Sequence, residues 1–280
     1  MAILSQLILY PIKSCAGLAL EEAVVTVSGL SAHGIHDREW MLVTNEGQFL
    51  TQREFPRMAT VVPRVEGDTL AVTAPGMPPL HLPLARETGA TLRVQIWDDS
   101  INADDCGDAA AAWFGQALDT SCRLVRFKPE LARPTSTKWT GGAPSSARFA
   151  DAYPLLLIGQ ASLDEINRRM VSAGRAALPM DRFRPNLVVA GLESFEEDHL
   201  ESLQTNDIVI KPVKPCARCP IPAVDQATGI PGPDPLDILQ SWRTKAVLDG
   251  AVCVGMNCIL AAGGGGSLRV GQAFDTSLSF

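Results

Sequence analysis

Val61-Val62, Leu70-Ala71-Val72-Thr73, Leu80-His81-Leu82-Pro83-Leu84 and Thr91-Leu92-Arg93-Val94-Gln95-Ile96-Trp97 follow one another in close succession. Each run is short and largely aliphatic or β-branched, and Gly and Pro punctuate the gaps. Runs of that length and spacing predict a barrel or sandwich of small strands. Upstream, residues 4–12 form another apolar run, bounded by Pro11, and residues 20–27 read as a strand with β-branched residues near its end. Trp40 to Val43 is strand-like, Asn45-Glu46-Gly47 is a hairpin turn, and residues 48–51 make the returning strand.

Downstream of these runs, Asp108 is placed to cap a helix running through the alanines to Trp113, Phe114 and Leu118, and residues 123–127 form a strand. Residues 128–148 are rich in Pro, Thr, Ser and Gly and read as a connector that is partly ordered over a site. The apolar run 155–158 opens the second half. Ser162-Leu163-Asp164-Glu165 has the form of a capping box for a helix that stops near Gly174. Residues 187–189 and 208–210 are strands, and Asp234-Pro235 starts a short helix. Residues 251–262 and 267–274 read as a closing hairpin around Gly263-Gly264-Gly265-Gly266. No Gly-Lys-Ser or Gly-Lys-Thr follows those glycines, so they are read as a flexible tip and not a phosphate cradle.

Of the 280 residues, 46% are hydrophobic and 20% charged, the balance of a globular protein with a sizeable core. The net charge of −7 argues against a broad nucleic-acid-binding face, so an anionic ligand must be held by a local cluster of Arg and Lys. Seven cysteines, an odd number in a chain of this length, do not read as a disulfide framework. A reducing, intracellular compartment fits better. The first ten residues lack a charged leader and a small-residue cleavage site, and no apolar run reaches membrane-spanning length. The expectation is a cytoplasmic protein without a membrane partner.

Chemistry concentrates in a few turn-like segments. Lys214-Pro215-Cys216-Ala217-Arg218-Cys219 places two thiols around an arginine, the setting of a reactive sulfur or a soft-metal ligand. A buried cysteine pair and half of a zinc site are open alternatives, with Cys253 and Cys258 as the further zinc candidates. Lys13-Ser14 and Asp37-Arg38 are cationic turns. In Arg182-Phe183-Arg184-Pro185-Asn186, extended backbone would alternate Arg182, Arg184 and Asn186 onto one side with Phe183 toward the core. Guanidinium forks beside an amide suit a phosphate or a polar heterocycle; arginines paired with carboxylates on an exposed strand face are the alternative. Nucleophile elbows, His-Glu-x-x-His and dinucleotide fingerprints are absent, and the four histidines make no ligand pairs.

Five segments in register carry a resemblance: Tyr10-Pro11-Ile12-Lys13-Ser14-Cys15-Ala16-Gly17, Asp37-Arg38-Glu39-Trp40, Gln52-Arg53-Glu54-Phe55-Pro56-Arg57-Met58-Ala59, Arg182 to Asn186, and Cys216 to Cys219 with Val224-Asp225 and Thr228-Gly229. Together they resemble the MOSC proteins that carry a MOSC N-terminal β-barrel domain, a group including mitochondrial amidoxime-reducing components and bacterial YcbX-type proteins. The resemblance implies an α+β, β-rich fold of two β-barrel-like domains with a few flanking helices. We expect an N-terminal barrel domain over residues 1–127, a connector over 128–148 and a MOSC domain over 149–280.

It also implies a molybdenum cofactor where the domains meet, with Cys219 as metal ligand and catalytic residue, since soft sulfur suits such a centre. Lys13, Ser14, Arg38, Arg184 and Asn186 match the cofactor-holding positions, and the loop containing Asp151 and Tyr153 approaches the cofactor, Tyr153 standing where relatives often have serine. Arg182 joins this set through the alternation above. Cys216 is not a ligand in the family, and Arg218 is expected to help keep the Cys219 sulfur ionised.

The activity implied is reduction of small N-oxygenated substrates such as amidoximes, hydroxylamines and N-hydroxylated bases. The ferredoxin domain of YcbX-type relatives and the membrane anchor of the mitochondrial ones have no counterpart in the sequence. Electrons are therefore expected from a separate flavin, iron–sulfur or haem protein. Two alternatives belong to other classes: a cofactor carrier or sulfur-transfer protein working through a Cys219 persulfide, and a scaffold that has lost the metal.

Overall fold

The computed structural model describes residues 1–86 and 89–279. It is strand-rich, with 41% strand and 18% helix, and comprises a closed seven-strand barrel and a half-barrel with few helices, the β-rich α+β class expected. Around the barrel the strands run Leu155–Gly159, Leu187–Ala190, Ala2–Leu9, Ala273–Leu278, Leu200–Thr205, Ile208–Ala217 and Ala251–Ala262. The last pairs antiparallel with the first, which closes the ring and removes exposed edges.

The run Leu155-Leu156-Leu157-Ile158 is apolar throughout because both faces of its strand are covered. Leu155 and Leu157 join the barrel interior with Leu4, Leu7, Leu187, Val189 and Met256. Leu156 and Ile158 face the helix Gln160–Ser172 through Leu163, Ile166 and Met170. That helix ends at Ser172 with Gly174 at φ +75°, as its sequence predicts.

Outside the seven-strand barrel, one sheet runs Trp40–Val43, Arg123–Phe127, Asp99–Asp105, Thr91–Ile96, and a separate one Val62–Glu66, Thr69–Thr73, Leu80–Pro83. The helix Asp108–Leu118 packs Phe114 and Leu118 into the same continuous core as the barrel. We propose residues 1–127, 128–148 and 149–280 as the units of the chain, with two strands exchanged between them. Ala2–Leu9 lies inside the C-terminal barrel, between Leu187–Ala190 and Ala273–Leu278. Reciprocally, Ser267–Arg269 pairs with Glu22–Thr26 of the N-terminal part.

Four local expectations are corrected. Residues 251–262 and 267–274 do not form a hairpin: the tetraglycine carries the chain from the barrel to its exchanged strand. There Gly263, at φ +78°, lies so close to Asp207 that a Cβ would sit 2.5 Å from its carbonyl oxygen. Ser162 is not an N-cap; Gly159 is, because strand passes directly into helix. Ser162 Oγ instead donates to Glu197 Oε2 (2.6 Å) and accepts from Phe195 N (2.7 Å), while Gly159 N donates to Glu197 Oε1 (3.1 Å). The fully buried Glu197 thus supplies the acceptors at the helix N-terminus, and Glu165 pairs with Arg168 and Arg169. Asp108 is the first helical residue behind a Gly107 cap, and in place of a returning strand residues 48–51 make isolated bridges, Phe49 to Val43 and Gln48 to Gln95.

Candidate functional site

A cleft of about 210 Å³ opens between the two parts of the chain. The N-terminal part lines it with Lys13, Ser14 and Arg38, and the C-terminal part with Asp151, Tyr153, Arg184, Asn186, Cys216, Arg218 and Cys219. Of the expected site residues only Arg182 lies outside this lining.

Backbone conformation explains how three of these side chains are aimed. Ser14 (φ +66°), Arg38 (φ +46°) and Arg184 (φ +55°) are left-handed although none is glycine. Such conformations cost on the order of 1–3 kcal/mol each and persist where the surroundings enforce them. For Arg184 this corrects the extended reading: Met180–Phe183 is a 3-10 turn that ends in the left-handed residue. The alternation therefore fails. Arg182 swings away, donating to Asp225 Oδ2 (2.7 Å) and to the carbonyls of Pro222 and Ala223 (3.2 and 3.1 Å). It clamps the segment after Cys219, whose turn is fixed by Asp225 Oδ1 accepting from Ala227 N, Thr228 N and Thr228 Oγ1.

Arg38 and Arg184 converge on one ring. Their guanidinium carbons lie 4.4 and 4.3 Å from the centroid of Tyr10, which is only 2% exposed. The electron-rich ring attracts both charges. Burial pushes the Tyr10 hydroxyl up to about 12, against the pull of the two arginines, so it stays protonated. Arg38 donates to buried Asp37 and to Asn186 Oδ1 (3.1 Å). Arg184 donates to the Cys15 carbonyl (2.7 Å), and no carboxylate pairs with it among the described residues. Burial works against its charge, which an incoming anion would relieve.

Asn186 is fully engaged in joining the two parts. Its Oδ1 accepts from Leu156 N (3.2 Å) besides Arg38, and its Nδ2 donates to Ile8 O and Asp37 Oδ1 (both 3.0 Å). It therefore acts on the cleft through Arg38. Gln52 has a similar place: its Nε2 donates to Ser14 O (2.7 Å), and it forms a reciprocal amide pair with Gln226 (3.1 and 3.0 Å).

At the other cationic corner, Lys13 Nζ donates to Phe149 O (2.9 Å) and Asp151 Oδ1 (2.5 Å). Burial lowers the Lys13 pKa, with Asp151 opposing. Desolvation also acts against the Asp151 charge, but the Lys13 ammonium outweighs it and holds this carboxyl well below the usual range. The Asp151 side chain is nevertheless 64% accessible from the open cleft. Trp97 Nε1 donates to the same oxygen at 3.1 Å.

The two thiols differ. Cys216 Sγ accepts from Arg218 Nη1 at 3.2 Å, and Arg218 Nη2 donates to Phe183 O at 2.8 Å. This corrects the expectation that Arg218 serves Cys219. Cys219 is a half-buried free thiol on the cleft wall. Among the described residues no group of three or more His, Cys, Asp or Glu side chains could hold a metal ion, which leaves the zinc reading of Cys216 and Cys219 without further ligands. Burial in the barrel wall pushes the Cys253 thiol up to about 11 and raises that of Cys258.

The sequence reading missed Tyr10, Gln52, Gln226, Trp97, Lys214 and Asn257 as parts of this region. Tyr10 and Gln52 sit inside the quoted segments, so their adjacency to Lys13 and Arg53 was the available signal. Lys214 likewise sits in a quoted segment, two residues before Cys216, and nothing local marks Trp97, Gln226 and Asn257.

Residues 1–121 match the model of the MOSC N-terminal beta barrel domain, and residues 144–275 match that of the MOSC domain. The chain belongs to the MOSC family. It is 35% identical to mitochondrial amidoxime reducing component 2 of Rattus norvegicus over 96% of this chain and 81% of the relative. It is also 35% identical to mitochondrial amidoxime-reducing component 1 of Mus musculus, covering 85% and 71%. For component 2 of Homo sapiens the identity is 36%, covering 85% and 72%. These relatives are named mitochondrial; in the present MOSC chain no helix among the described residues is long and apolar enough to cross a membrane.

Proposed function

We propose that the protein is a molybdenum-cofactor-dependent reductase of N-hydroxylated compounds that takes electrons from a separate donor protein. The observation that carries this reading is the meeting of Cys219 with Lys13, Arg38 and Arg184 in one cleft built from both parts of the chain. Among the described residues the lining holds five basic side chains (Lys13, Arg38, Arg184, Lys214, Arg218) and one carboxylate, Asp151, in a protein of net charge −7.

The residues present fit such a group. Tyr153 Oη is buried at the cleft wall without a hydrogen-bond partner among the described residues, and buried polar atoms are rarely left so. Arg184 lacks a carboxylate, as a site for a phosphate-bearing pterin requires. Lys13, Ser14, Arg38 and Arg184 would hold the anionic end, Asp151 and Tyr153 the polar heterocycle, and Cys219 the metal through a soft sulfur donor. Asn186 would keep Arg38 in place. When bound, the group supplies the two-electron change by which an N–OH substrate, with two protons, becomes N–H and water. The chain's own contribution is to orient the anionic cofactor, to neutralise it locally, and to line the cleft that holds Cys219 with apolar Phe183 and Ile221.

Metal analysis of protein from a cofactor-competent host, with benzamidoxime reduction by a reduced viologen dye, tests the reading. Bound molybdenum with turnover is the expected result. Molybdenum without turnover favours a carrier or sulfur-transfer role for Cys219, and absence of molybdenum favours a scaffold.

A further inference from the structure

Four of the basic residues lining the cleft have roles in the account above. Lys13, Arg38 and Arg184 form the anion-holding end, and Arg218 is bonded to Cys216 and Phe183. The fifth, Lys214, is a different case. It lies near the end of the strand Ile208–Ala217, two residues before Cys216, and lines the same wall as Cys219. Among the described residues no carboxylate pairs with it, and the lone lining carboxylate, Asp151, is bonded to Lys13.

What holds Lys214 is aromatic. The short connector helix Thr137–Thr140 packs on the strand Ile208–Ala217, and its Trp139 ring centroid lies 5.6 Å from Lys214 Nζ. Lys138 Nζ lies 5.5 Å from the same ring. One indole thus gathers two ammonium groups, and neither has an ion-pair partner among the described residues. Asn257 stands opposite Lys214 in the strand register and also lines the cleft. Among the described residues its Nδ2 has only a long contact, 3.5 Å, to Pro215 O. An ammonium and an amide donor on neighbouring strands, both loosely satisfied, make a receptor for a carboxylate-sized anion.

We propose that Lys214 and Asn257, with Trp139 positioning the lysine, form a substrate subsite that selects N-hydroxylated compounds bearing an anionic group. This rests on the reductase reading for the reaction, while the charge selection rests on the cleft alone. The placement within the cleft wall favours a small anion over the acidic face of a donor protein, which would meet Lys138 first.

The test compares 4-carboxybenzamidoxime with benzamidoxime, using a reduced dye as donor so that no protein partner takes part. In the wild type kcat/KM is higher for the carboxylated compound. Lys214→Met lowers the ratio of the two kcat/KM values about tenfold, the scale of one lost charge-assisted hydrogen bond. Lys214→Arg retains most of the preference, and Trp139→Leu lowers it in the same direction by less. An equal ratio in wild type and Lys214→Met overturns the subsite. Equilibrium binding of 4-carboxybenzamide against benzamide reads the same preference without turnover. Loss of reduction with that binding preference intact sinks the reductase reading and supports the subsite. Reduction of both amidoximes without preference sinks the subsite and leaves the reductase reading standing.

Discussion

Lys13 and Asp151 should set the pH behaviour of the proposed anion-holding corner. Asp151 has a depressed folded pKa, so its pairing contributes stability that is complete above the unfolded carboxyl value and lost as pH falls through the folded one. Lys13 runs the other way: its charged form is penalised by burial, and Asp151 partly restores it. Anion binding that needs the Lys13 ammonium should therefore weaken with rising pH at a lower pH than an exposed lysine would show. In Asp151→Asn the weakening should begin lower still, which calorimetric titration with inorganic phosphate between neutral pH and about 10 reads out. A pH dependence unaffected by Asp151→Asn would contradict the pairing. Tyr10 makes a second prediction. Tyr10→Phe keeps the ring beside Arg38 and Arg184 and should bind phosphate nearly as the wild type does. Tyr10→Leu removes the ring and should weaken binding roughly tenfold, the scale of about 1–2 kcal/mol for cation–π contacts out of water. Equal affinities for the two variants would show that the ring face has no such role. Lys13, Ser14, Arg38, Arg184 and Cys219 were legible because each sits in a turn-like segment with a marked neighbour. Lys214 and Asn257 were not, because cross-strand register brings them together. Arg182 was misplaced because a left-handed Arg184 defeats strand alternation, and its sequence neighbours do not announce that conformation.

Elements were legible where their period was plain. The runs at 61–97, the strand 123–127 and the stop at Gly174 all appear in the structure. The strands Asp99–Asp105 and Leu200–Thr205 were missed because their polar faces hide the apolar alternation: only Ala103 in the first, and Leu200, Leu203 and Thr205 in the second, are buried. The start of the helix Gln160–Ser172 shows the same limit in another form. Ser162 and Glu165 have the right spacing for a local cap, yet the acceptor that satisfies the helix start comes from Glu197, distant in sequence. Glu197→Ala should leave Ser162 Oγ and the Gly159 N–H without their acceptor and cost about 1–3 kcal/mol, read as a lowered Tm. Glu165→Ala should cost less than about 1 kcal/mol, because its pairs with Arg168 and Arg169 lie at the surface. The reverse ranking would restore the local capping box.

At the scale of the molecule, the cleft exists because the two parts of the chain are interleaved. Ala2–Leu9 completes the C-terminal barrel, and Lys13 follows it by four residues, so barrel closure and delivery of the lysine are one event. A fragment of residues 144–280 should therefore fail to fold cooperatively, since Leu187–Ala190 and Ala273–Leu278 would lose the strand between them. Its circular dichroism melt is the check, and a cooperative transition like that of the whole chain would show that the exchanged strand is dispensable. Such an exchange is hidden from local pattern reading, which placed Ala2–Leu9 with the residues that follow it. The central claim concerns Cys219, the thiol that this interleaving sets in one cleft with Lys13, Arg38 and Arg184. Its most direct test is benzamidoxime reduction by cofactor-loaded Cys219→Ala, with circular dichroism confirming the fold. The account predicts a folded protein that no longer reduces the substrate; a folded variant reducing it at the wild-type rate would contradict it.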